Sequence, residues 1–280
     1  MQKLSVYFFE DYNFKTQVTW FKKLLYVFLV IESSYFLCYF DLFFGENSIV
    51  SVSPQKIGFF KNLAFLLYNS ESADLSRVCL ISLLVLSCFN LFTKRFRFIP
   101  DLLLWFIVVN LNNRVYPALT GGDNLLNQFL FFNCFLSVNF QITPNWRGQL
   151  KICLHNLAVI AIIVQICLLY LLSALAKLND QEWLSGKALI TVTQIKHFSM
   201  FSFHSYNRSL DPLLIFLNYA VLFYQLLFPA LIWIRKIKRP LLIFGILMHL
   251  YIAFVMGLLG FGFIMILGYV FFWPTKQAVR

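Results

Sequence analysis

Residues 170–188 read YLLSALAKLNDQEWLSGKA. An apolar run long enough to cross a bilayer ends there on Lys177, and Trp183 and Gly186 follow at short spacing. A cation at the end of such a helix is commonly an interfacial anchor whose charged head reaches water. Here a compact polar turn comes next, with Asn179, Asp180 and Glu182, and a second polar cluster, Asn112 to Asp123, is expected at the same membrane depth. The stretch therefore predicts a membrane-spanning helix and the rim of a site together.

The rest of the chain agrees with a membrane setting. Of 280 residues, 60% are hydrophobic, 19% aromatic and only 12% charged, and the mean hydropathy is +0.74. A water-soluble domain carries about a quarter charged residues, so this chain cannot coat its own surface and lipid must be part of its solvent. The net charge of +11 does not predict a nucleic-acid partner. The basic residues lie in short clusters between apolar runs, as topology signals do, and form no phosphate-binding face. The six cysteines all fall inside apolar runs, without a CxxC pair or a nearby histidine at ligand spacing, so they read as small buried hydrophobes. No metal set is expected. The N-terminus lacks the short apolar core and small-residue cleavage site of a signal peptide.

A helix needs about 20 residues to cross the hydrocarbon core. Runs of that size predict an all-α integral membrane protein with eight spans, near 22–44, 75–93, 99–118, 124–140, 150–176, 212–234, 240–257 and 261–273, in one membrane domain covering residues 1–280. If the spans alternate, 15 of the 23 basic residues fall on one side. Lys22 is among the group preceding the first span. That side is expected to be cytoplasmic, with both termini there. Gly257 to Gly262 is expected to form a tight hairpin, and the apolar segment 186–206 to dip into the membrane or lie along its surface.

Three groups of residues are candidates for chemistry. Asn110, Asn112, Asn113 and Arg114 end the third span, Pro117, Gly121 and Gly122 follow, and Asp123 is placed to cap the fourth. This cluster reads either as a structural turn in which Arg114 pairs with Asp123, or as part of a ligand site. Lys177 reads as a general base or nucleophile if apolar surroundings disfavour its charge. Otherwise it snorkels to water or pairs with Asp180 or Glu182. Glu32, Gln165, Gln225 and His249 lie within spans and should face protein rather than lipid. Of these, His249 can donate, accept or pass on a proton. No phosphate-cradling loop, nucleophile elbow or zinc-protease helix is present.

The order of these motifs resembles the HTTM family, the membrane domain shared with vitamin K-dependent gamma-carboxylases. The resemblance rests on three stretches: Asn113-Arg114 with Gly121-Gly122-Asp123; Tyr170 to Gly186 with Ala176-Lys177-Leu178, Trp183 and Gly186; and Pro229, His249 and the run Gly257 to Met265. It implies that Lys177 matches the lysine base with which the carboxylases oxygenate a reduced vitamin K. It also implies that His249 is a catalytic or pocket residue, and that Asn113, Arg114, Asp123 and Trp183 shape the site. An isoprenoid quinone is the cofactor it suggests. The large extracytoplasmic portion of the carboxylases has no counterpart here, so carboxylation of a protein is not expected. The chain is more similar to compact bacterial members such as the sporulation-delaying protein B group, a resemblance that implies a bacterial inner membrane.

Two functional readings stand side by side. One is a quinone- or lipid-dependent enzyme acting on a peptide or lipid through Lys177. The other is a non-enzymatic accessory protein that helps a secreted peptide or a partner membrane protein to mature or to be exported. A channel or transporter fits less well, because acids within spans are few and no paired broken helices stand out.

Overall fold

The computed structural model describes residues 7–45, 48, 73–93, 98–115, 118–195 and 208–274. Regular structure among them is helical throughout. The helices are α1 (Lys15–Cys38), α2 (Phe40–Phe43), α3 (Ala73–Phe92), α4 (Phe98–Arg114), α5 (Gly121–Asn133), α6 (Trp146–Leu178), α7 (Gln181–Leu184), α8 (Ala188–Gln194), α9 (Asp211–Leu231), α10 (Arg235–Phe254) and α11 (Leu259–Gly268), the last continued by a 3-10 turn, Tyr269–Phe272.

Four of these, α3, α6, α9 and α10, are long and apolar enough to cross a membrane. Only 22% to 39% of their most apolar windows is buried within the protein. The side chains left outside on α3 include Val78, Ile81, Val85 and Phe89. Apolar helices that leave most of their surface uncovered by protein need lipid around them.

The chain forms two compact units, Met1–Ile160 and Ala161–Arg280. In the first, α1 packs on α3, α3 on α4 and α4 on α5. Phe21, Leu25 and Leu29 of α1, Leu80 and Leu83 of α3, Leu104 and Val108 of α4, and Leu126 and Phe129 of α5 make its core. The N-terminal stretch is held by two neighbouring residues of α6. Asn156 accepts from Asn13 N at 2.9 Å and donates to the carbonyls of Tyr7 and Asp11. His155 Nδ1 accepts from Ser137 N at 3.0 Å, while its Nε2 donates to Asn13 O at 2.9 Å.

In the second unit α10 and α11 pack on each other, and α9 packs on α10. The expected reversal at Gly257 is present. Gly257 adopts φ +75, and Gly262 lies against His249 O and Ala253. A side chain at Gly262 would meet both, so the glycine lets the two helices approach closely at this point. The segment 186–206, expected to dip into the membrane or lie along its surface, includes α8, packed on α9; residues 196–206 are outside the described residues.

Boundaries shift where local chemistry differs from the apolar pattern. The first predicted span starts about two turns early, at Lys15, and breaks at Tyr39. The fourth is a helix of 13 residues, roughly 20 Å long at 1.5 Å per residue, against a hydrocarbon core of about 30 Å. Lys22 departs most from its reading. It is fully buried and salt-bridged to Asp101 at 2.7 Å, so it is not a surface topology signal.

Candidate functional site

Lys177 sits on the last turn of α6, half-buried. Its ammonium donates to Ser173 Oγ at 2.7 Å, one turn back on the same helix face, and lies 4.8 Å from the centre of the Trp183 ring. Ser173 in turn donates to Gln225 Oε1 of α9 at 3.3 Å. The two acids that follow in sequence are engaged elsewhere. Asp180 caps α7, accepting from Glu182 N at 2.8 Å, and Glu182 accepts from Thr191 Oγ1 at 2.9 Å. The pairing of Lys177 with Asp180 or Glu182 is therefore not formed. The lysine lies between a hydroxyl and an indole face, a cation–π arrangement.

The turn that carries Trp183 is docked on α9. Asn218 donates to Trp183 O at 2.9 Å, and Tyr219 donates to Leu184 O at 2.8 Å. Gly186 ends the turn at φ +78, with Ile215 and Tyr219 against the place a side chain would take. A glycine is required there on both counts. The spacing Lys177, Trp183, Gly186 thus has a physical reason: it closes a short loop that sets an aromatic face over the ammonium.

His249 occupies a different level of the same unit. Its Nε2 meets Tyr170 Oη at 2.7 Å, Tyr170 Oη also meets Tyr269 Oη, and Tyr269 Oη meets Tyr224 Oη at 2.8 Å. All four residues are buried. Phe228 packs on Tyr170 with ring centres 4.6 Å apart, and Phe261 meets the imidazole edge-to-face at 5.9 Å. Gly245 makes the meeting of hydroxyls possible, because a Cβ there would collide with those of Tyr224 and Tyr269. Tyr170 precedes Lys177 by seven residues, about 10 Å along the helix. Lys177 and His249 lie on one side of α6 without touching. Tyr170, Tyr224 and Tyr269 were not among the residues singled out by sequence, since tyrosine in an apolar run looks like ordinary packing or an interfacial anchor.

The remaining site candidates belong to the first unit. Asp123 accepts from Thr120 N at 2.6 Å and from Thr120 Oγ1 at 2.8 Å, while Thr120 Oγ1 accepts from Gly122 N. The cap of α5 is thus Thr120, with Asp123 as the third residue of a capping box, not the cap itself. Arg114 is buried at the end of α4, and Asn113 beside it is half-buried. Asn112 donates to Asn127 Oδ1 at 3.2 Å. Glu32, half-buried on α1, is within electrostatic reach of Asp123.

A polar centre that sequence reasoning missed lies in the same unit. Lys22 donates to Asp101 Oδ2 at 2.7 Å and to Asn133 O at 2.9 Å; Tyr26 donates to Asp101 Oδ1 at 2.6 Å, and Asn90 Nδ2 to the same oxygen at 3.2 Å. Four helices contribute to it. Asp101, directly after Pro100 at the head of an apolar run, was the available signal.

Uncovered apolar helices with polar centres sealed inside define a helical membrane protein. The HTTM domain model matches residues 125–276, and the chain belongs to the HTTM family. It is also 31% identical over 109 residues to "Uncharacterized protein YitO" of Bacillus subtilis (strain 168), a match that covers 36% of this chain. That match spans 34% of the relative's own length. No solved structure matches.

Proposed function

We propose that this HTTM protein carries a reactive site at the Lys177 end of α6, where the lysine amine acts as base or nucleophile on an isoprenoid quinone or on an extracytoplasmic peptide. The observation that supports it best is the lysine's setting. Its ammonium is held by Ser173 and the Trp183 ring while both nearby acids are engaged with other groups. An ammonium with a neutral hydroxyl and an aromatic face as partners, and partly withdrawn from water, gives up its proton more readily than one bound to a carboxylate. Trp183 forms one wall of the site, and His249 is its second functional group, deeper in the unit. In this reading the chain crosses a bacterial inner membrane eight times, with both termini cytoplasmic, as its remaining basic clusters favour.

Native mass spectrometry of the detergent-purified protein tests the proposal, with wild type beside Lys177→Ala. A quinone or similar lipid retained by wild type and lost from the variant is the expected result. Both forms emerging folded and empty would refute the quinone-dependent reading and favour the accessory role. Collapse of Lys177→Ala during purification would make the lysine structural.

A further inference from the structure

Three hydroxyl protons serve the three hydrogen bonds of the line Tyr224, Tyr269, Tyr170, His249. Each hydroxyl donates at most once, so the arrangements fall into two groups, according to whether His249 accepts or donates. In the first, Tyr224 donates to Tyr269, Tyr269 to Tyr170 and Tyr170 to Nε2 of His249, which leaves the imidazole proton on Nδ1. In the second His249 donates from Nε2 to Tyr170. One hydroxyl proton then has no acceptor in the line, and the Nδ1 lone pair has no donor.

Nδ1 is buried without a partner among the described residues. The first arrangement therefore strands one buried group and the second strands two, and each stranded group carries a desolvation cost. Acidity points the same way. A phenol is a far stronger acid than an imidazole N–H, so their bond is better made with the phenol donating. An imidazolium would force the second arrangement, and the rings that contact His249, those of Tyr170, Tyr269 and Phe261, offer it no negative charge.

We propose that Tyr170, backed by Tyr269 and Tyr224, is a positioning residue that locks His249 as the Nδ1–H tautomer and so presents a buried N–H donor to an oxygen acceptor. His249 then acts by donating a hydrogen bond to a carbonyl or hydroxyl oxygen of a bound molecule, and not by ligating a cation, which would need the Nδ1 lone pair. Tyr269 and Tyr224 strengthen the donation of Tyr170, because bonds in a line polarise one another. Gly245 is the opening that admits their hydroxyls. The proposal rests on reading His249 as a functional group of the Lys177 site, but Lys177 is not part of the line.

Ring-nitrogen NMR of protein labelled with 15N-histidine, in lipid nanodiscs, reads the tautomer directly. His155 supplies an internal contrast, since its Nδ1 accepts and its Nε2 donates. The expected spectrum shows His155 protonated at Nε2 and His249 protonated at Nδ1. Tyr170→Phe removes the donor to Nε2 and should move the His249 tautomer ratio toward Nε2–H by about tenfold, the worth of one hydrogen bond. Tyr224→Phe should keep Nδ1–H, because the two remaining hydroxyls still donate toward the ring; a purely structural role predicts no such difference between the variants. A wild-type ring protonated at Nε2 overturns the proposal without any variant. So does a Tyr170→Phe protein that keeps Nδ1–H alone. Lys177→Ala should leave the spectrum unchanged, so loss of the lysine reading and loss of this one are separable.

Discussion

Replacing Lys22 by methionine removes the cation from the buried centre of the first unit and leaves Asp101 charged among Tyr26 and Asn90. The ammonium and carboxylate are 2.7 Å apart, with side chains 1% and 0% exposed, so water cannot take over the lost interaction. Breaking one side of a buried ion pair costs about 3–5 kcal/mol. Tyr26 and Asn90 keep hydrogen bonds to Asp101, which places Lys22→Met toward the lower half of that range. At about 2 °C per kcal/mol for a chain of this length, the melting temperature should fall by roughly 6–8 °C. Asp101→Leu alone should cost a similar amount, because it strands the Lys22 ammonium. The double variant Lys22→Met with Asp101→Leu should recover most of the loss, since apolar side chains of similar size can replace a buried pair at little cost. Lys23→Met, one residue on and exposed, should change stability by no more than about 0.5 kcal/mol. Thermal unfolding in one detergent at a fixed scan rate, for all five proteins, gives the full double-mutant cycle. Additive losses in the double variant, or a Lys22→Met protein as stable as wild type, would refute the account of this centre.

Two further substitution experiments probe other parts of the structure. Gly245→Ala drives a methyl group into the hydroxyls of Tyr224 and Tyr269 and should destabilise the protein by about 1–3 kcal/mol. Gly257→Ala, where nothing lies within 4 Å but φ is +75, should cost about 1 kcal/mol from backbone strain alone; unfolding curves of the two variants would show the larger effect at Gly245. Single cysteines at Ala118 and Asn145, in a background without the six native cysteines, should react with membrane-impermeant maleimide from opposite sides of the membrane; labelling from one side only would show that α5 does not cross.

Much of the helical pattern was legible in the chain itself. The long apolar runs expected at 150–176, 75–93 and 212–234 appear as α6, α3 and α9 with boundaries within a few residues, because backbone in hydrocarbon must bond internally and a helix does so locally. The reversal at Gly257 was legible for the same local reason. The length of α5 was less so: Thr120 starts the helix with a capping box, and it ends at Asn133 although the apolar run continues to Phe140. The spacing of Lys177, Trp183 and Gly186 marked a loop that sets an indole over the ammonium, although not the reason for it.

The chain by itself determined that this is a lipid-embedded helical protein, that its polar residues are few enough to need partners, and that Lys177 ends a spanning helix. Those conclusions follow from composition and from the period and length of apolar runs, which are local quantities. Only the tertiary structure decided which partners the polar residues have. Lys22 and Asp101 are 79 positions apart, as are Tyr170 and His249, and no local pattern encodes a meeting at such separation. A buried charge or hydroxyl takes its character from what the other helices bring to it. Lys22 could therefore be read as a surface anchor until Asp101 was seen against it, and three ordinary tyrosines became a buried hydrogen-bonded line once Gly245 let them meet.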